Sequence, residues 1–100
     1  MTDSRSELEK AKVNLETSQI SWTELQRFFA AGLAIAVDDE LDLIEVAYQF
    51  SIDNKTVVED WLQSKRIGPV SDKKARTWYD NKADVWAVVV KPWILVQDVR

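Results

Sequence analysis

The segment from Val85 to Val99 constrains this chain more than any other. Trp86-Ala87-Val88-Val89-Val90 and Trp93-Ile94-Leu95-Val96 are runs of β-branched and aromatic residues, the side chains that suit a pleated, packed surface. Lys91-Pro92 separates them, so they form either a hairpin or one long strand bent at the proline. Successive strand side chains point to opposite faces, so valine and tryptophan point each way. Helices covering one side leave an apolar aromatic surface on the other; helices on both sides make this a buried central strand. At a sheet edge, the segment pairs with a second copy or with an extended partner.

The rest of the chain supplies the helices. Ser6-x-x-Glu9 reads as a capping box that opens an N-terminal helix within residues 1–20, with Leu8, Ala11 and Leu15 on a narrow stripe. So thin a stripe predicts a loosely docked or partly frayed helix ahead of a single α+β domain over residues 21–100. Ser21 and Glu24 repeat the capping pattern, Trp22, Leu25, Phe28 and Phe29 share one face, and Gly32 stops the helix. Residues 33–37 read as a short buried strand. Asp38 and Asp39 then cap a helix carrying Leu41, Ile44, Ala47, Tyr48 and Phe50 inward. After a turn at residues 51–54, a helix over 55–65 turns Val57, Val58, Trp61 and Leu62 to one side. Ile67-Gly68-Pro69-Val70 reads as an edge strand, because proline has no N–H for a central ladder. Ser71 and Asp72 begin a last helix with Ala75, Trp78 and Tyr79 inward.

The expected architecture is therefore a small single α+β domain, winged-helix-like, with four to five helices and a three- or four-stranded, mostly antiparallel sheet. One hundred residues with 46% hydrophobic content suffice for one self-supporting core. Five tryptophans are dense for that length, and core packing accounts for most of them. Those left outside mark an interface, since contiguous apolar patches are rare on monomers.

The same composition narrows the chemistry. With no cysteine and no histidine there is no disulfide framework, no thiolate or imidazole metal ligand, and no catalytic device built on either residue. The sequence holds no Gly-rich phosphate loop, nucleophile elbow or Ser-x-x-Lys pair. The acidic run at Asp38, Asp39, Glu40 and Asp42 lacks calcium-loop spacing and reads as a carboxylate-rich helix start. We expect no enzyme, no cofactor, no metal and no catalytic residue. No apolar run reaches the length of a membrane span, and the opening residues do not read as a signal peptide, so the expected location is the cytoplasm.

Charge is unevenly distributed. Residues 1–53 hold four Lys/Arg against eleven Asp/Glu, and residues 54–100 hold nine against six. The net charge of −4 disfavours nucleic acid at long range. The split nonetheless leaves room for a local basic face at Lys65, Arg66, Lys73, Lys74 and Arg76, or for head-to-tail contact between copies. On the last helix, Ser71 and free backbone N–H groups beside these cations could hold an anion, although a solvated helix face is the commoner meaning of such a run.

Several segments bear on family. Trp22-x-Glu24-Leu25-x-x-Phe28-Phe29-Ala30, Val37-Asp38, Leu41-Asp42-Leu43-x-Glu45-Val46-Ala47, Pro69-Val70-Ser71-Asp72 and Trp86-Ala87-Val88-Val89-Val90-x-Pro92-Trp93-Ile94-Leu95-Val96-Gln97 resemble an uncharacterised bacterial family, domain of unknown function number 2288. The resemblance implies a small cytoplasmic bacterial protein and no assigned activity. Residues 43–70 also look like a helix-turn-helix followed by the first strand of a wing, with Val46, Ala47, Phe50 and Ile52 matching its first helix and turn. They depart from that pattern in a turn one residue too long, in Ser51 where glycine is usual, and in Glu59 and Asp60 where DNA readers carry cations.

The resulting expectation is a non-catalytic protein-interaction or regulatory module, with Trp86 and Trp93 as partner-binding candidates and a protein or a second copy as partner. The alternative is a nucleic-acid-binding winged-helix protein using the basic residues among 65–76.

Overall fold

The computed structural model describes residues 17–99. Its strands are β1 (Ser18–Ser21), β2 (Ala34–Val37), β3 (Ile67–Pro69), β4 (Asp84–Val90) and β5 (Trp93–Asp98). A 3-10 turn over Trp22–Leu25 continues into α1 (Gln26–Ala30), and α2 (Leu43–Ser51), α3 (Lys55–Gln63) and α4 (Asp72–Asp80) follow. The strands form one sheet in the order β1-β4-β5-β2-β3, in which only β2 and β5 run parallel.

The β-rich terminus is a hairpin. Val90 faces Trp93 across the two-residue turn Lys91-Pro92, whose peptide is cis. β5 is the central strand, and helices lie against both faces, so Ile94, Leu95 and Val96 are a buried centre, while Trp86 and Val89 of β4 stay exposed. On the first face Val85, Ala87, Ile94, Val96 and Ala34 meet Trp22 and Leu25 of the 3-10 turn and Ala75 and Trp78 of α4. On the second face Val88, Leu95, Ile35 and Val37 meet Leu43, Val46 and Ala47 of α2, with Val58 and Trp61 of α3 packed alongside. The period-two alternation along β4 and β5 divides these two clusters.

Side chains fix the helix starts. Asp42 Oδ1 accepts the Ile44 N–H at 2.9 Å, Asn54 Oδ1 accepts that of Val57 at 3.3 Å, and Ser71 Oγ accepts that of Lys74 at 3.1 Å. All four α-helices end alike, with paired backbone bonds closing the last turn around a left-handed residue. Gly32 does this at φ +75°; Asp53, Lys65 and Lys82 do it at +55°, +62° and +51°, where a side chain is strained.

Several expectations change. The sheet has five strands, because Ser18–Ser21 pair with β4. Residues 18–20 are thus an edge strand and not the end of a helix; the helix expected from Ser6 otherwise lies outside the described residues. Ser21 forms no capping box: its Oγ sits 2.9 Å from Thr23 Oγ1, and the first turn is 3-10. Asp42, not Asp38 or Asp39, caps α2, while Asp38 Oδ1 accepts the Glu40 N–H in the preceding turn. Between α2 and α3 the left-handed residue is Asp53 and not Ser51. β3 pairs back with β2 and is followed by α4, so no wing hairpin directly follows the two central helices.

Candidate functional site

α3 packs on α2 but leaves an opening toward the β4–β5 turn. The groove there has a volume of about 700 Å³ and is walled by Ile35, Phe50, Val58, Leu62, Pro92 and Trp93. Val58 and Leu62 stand four residues apart on α3 and so share one helix face. Trp93 is held at the first position of β5 by its pairing with Val90, with its ring on the second face of the sheet. Phe50, at the end of α2, closes the other side. Leu62 is 44% exposed, although its helix position reads as inward. Asp53, Lys55, Glu59 and Lys91 ring the opening, with charges of both signs.

A second cleft, of about 560 Å³, opens beside β3 and is lined by Lys65, Arg66 and Lys74 together with Asp38 and Asp39. The acidic and basic halves of the sequence therefore meet within one molecule at this place. Lys74 Nζ lies 3.2 Å from Asp98 Oδ2 and 5.2 Å from the centre of the Trp78 ring, while the Trp78 indole N–H donates to Asp98 Oδ1. Lys73 and Arg76 project from α4 outside this cleft, so the five cations do not form one patch. Ser71 Oγ accepts the Lys74 N–H, so that backbone donor is already used within the cap.

Trp86 is not in the Trp93 groove. It faces Gln19 and Gln97 across its neighbouring strands, at the other end of α2, and is 36% exposed in a shallow cleft with Leu41, Asp42 and Ile44. Gln97 Nε2 donates to the carbonyls of Asp38 and Leu41, both at 2.8 Å, pinning the turn that leads into α2. Glu59 stands on the groove rim, and Glu59 and Asp60 are both exposed.

Sequence reasoning thus picked Trp93 but treated Phe50, Val58 and Leu62 as core. The spacing of Val58 and Leu62 does put them on one face of α3; what it does not show is that this face is left partly open toward the hairpin turn.

A family model described as Protein of unknown function (DUF2288) matches residues 8–98. The chain belongs to this family. No curated protein matches it. The NMR solution structure of PA1075 from Pseudomonas aeruginosa is similar, with 39% sequence identity over 93% of this chain and 86% of that chain, and a TM-score of 0.81. The DUF2288 match spans both clefts and every strand of the sheet.

Proposed function

We propose that this DUF2288 chain is a non-catalytic interaction module of the bacterial cytosol, and that it seats large apolar side chains of a protein partner in the groove between α3 and the β4–β5 turn. The observation that carries this reading is the groove itself, apolar on its walls, charged only on its rim, and open enough to leave Leu62 44% exposed. Buried anchors in such pockets supply most of the energy of a protein interface, while rim charges tune rate and choice of partner. The similarity to a Pseudomonas aeruginosa protein supports the bacterial setting.

The rival reading, a winged-helix-like nucleic-acid reader using residues 65–76, draws on the α2–turn–α3 pair and on the meeting of Lys65, Arg66 and Lys74. Glu59 and Asp60 on α3, and Asp38 and Asp39 in the same cleft, weigh against it, because each carboxylate repels a phosphate. Photo-crosslinking in cells separates the two. A benzophenone amino acid replacing Leu62 should give one discrete, nuclease-resistant adduct. The same group replacing Tyr79, which is 56% exposed on α4, should give none. No adduct at position 62, or one that nuclease removes, would overturn the proposal.

A further inference from the structure

α2 carries apolar side chains on two sides. Leu43, Val46 and Ala47 face the sheet. Ile44, Tyr48 and Ile52 follow one another at four-residue spacing and make a second row along the flank of the helix. Ile44 only adjoins the second sheet cluster, Tyr48 is buried yet belongs to neither cluster, and Ile52, just past the helix end, is 44% exposed. α3 meets α2 elsewhere, with the side chain of its cap residue Asn54 donating to Gln49 Oε1 at 2.8 Å.

The chain itself arrives at the foot of this second row. Thr17, where the described residues begin, lines the shallow cleft together with Ile44 and Trp86. We infer that the segment of residues 1–16 is the occupant of this flank, docking as an amphipathic helix antiparallel to α2. Leu15 then lies on Ile44, Ala11 on Tyr48 and Leu8 on Ile52. This inference is independent of the groove at the other end of α2.

Length, size and charge all suit that pairing. From Leu8 to Leu15 a helix rises about 10 Å, and from Ile44 to Ile52 about 12 Å. The small Ala11 falls opposite the large Tyr48, and a leucine falls opposite each isoleucine. Arg5 and Lys12 border the Leu8–Ala11–Leu15 stripe on one side, and antiparallel docking brings that side to the edge of α2 that carries Glu45. Glu9 and Glu16 fall farther round the helix, toward solvent. The tether at Thr17 also holds the stripe at roughly millimolar effective concentration, an advantage that no separate partner has. With the flank filled from within, the Trp86 end of the second face serves the fold, and the groove at the hairpin end is left for a partner.

The chain has no cysteine, so an introduced pair reports the docking without background. In the full chain, Leu8→Cys with Ile52→Cys should form an intramolecular disulfide under copper–phenanthroline at least about tenfold faster than Leu8→Cys with Tyr79→Cys on α4. Ala11→Pro, which breaks the helix between the tether and position 8, should slow the first pair by at least about tenfold. Lys12→Glu should slow it about threefold, and Glu45→Lys added to Lys12→Glu should restore it. Circular dichroism should show each variant folded. A Leu8–Ile52 pair no faster than the Leu8–Tyr79 pair, or indifferent to Ala11→Pro, would overturn the docking. Disulfides between two chains instead of within one would overturn it in favour of a second copy. Rates indifferent to Lys12→Glu would overturn the antiparallel register.

Discussion

On the first face of the sheet Trp22 and Trp78 lie 4.9 Å apart and are 0% and 5% exposed, with Phe29 edge-on to Trp22 at 5.7 Å. On the second face Trp61 and Trp93 are half-buried and Trp86 is 36% exposed. The two faces belong to the same strands and differ in what covers them. The first is sealed by aromatic residues from the 3-10 turn and α4. The second is sealed beneath α2 and opens at both of its ends. Tryptophan therefore serves two purposes in this chain: on one face it is the core, and on the other Trp86 and Trp93 wall open clefts.

The sharpest way to break that comparison is to remove one tryptophan from each face. Trp22→Ala should cost about 3–5 kcal/mol of stability in denaturant unfolding, the usual penalty for emptying an aromatic site. Trp93→Ala should cost no more than about 2 kcal/mol, because its ring is only partly enclosed. Equal losses would mean that the two faces are packed alike. Trp22→Phe should cost much less than Trp22→Ala: it keeps a ring in place and removes a buried indole N–H that has no acceptor among the described residues.

Smaller effects sharpen the picture at the margins of each face. Asp98→Ala removes the acceptor of the Trp78 indole and the partner of Lys74, and should cost about 1–2 kcal/mol, read as a lower denaturation midpoint. Asp42→Ala removes the cap of α2 and should cost about 1 kcal/mol. Lys82→Gly, at a left-handed position remote from both clefts, should raise stability by up to about 1 kcal/mol.

What the sequence made legible follows the strength of its local signals. The β-rich terminus, the stop at Gly32, the cap at Ser71 and the proline-bearing edge strand are each written in a few adjacent residues, and each is present in the structure. β1 was illegible because Ser18-Gln19-Ile20-Ser21 offers one apolar side chain and exists only by pairing with β4. Asp38 and Asp42 are both plausible caps in isolation. Gln97, by binding the Asp38 and Leu41 carbonyls from a strand far along the chain, holds Asp38 in a turn ahead of the helix. The candidate site was half legible for a similar reason. Trp93 stood out by type, whereas the exposure of Leu62 depends on how far α3 sits from the hairpin turn, and periodicity carries no such distance. The charge split misled in the same way, since Asp38 and Asp39 fold back beside Lys65 and Arg66.

The central claim, that the groove at the hairpin end of the second face is a binding surface, is tested most directly by a single variant read two ways. Leu62→Asp should keep the wild-type unfolding free energy within about 0.5 kcal/mol, as expected for an exposed position. It should also lose the partner recovered with the wild-type chain from nuclease-treated lysate. A folded Leu62→Asp chain that retains that partner at wild-type stoichiometry would contradict the account.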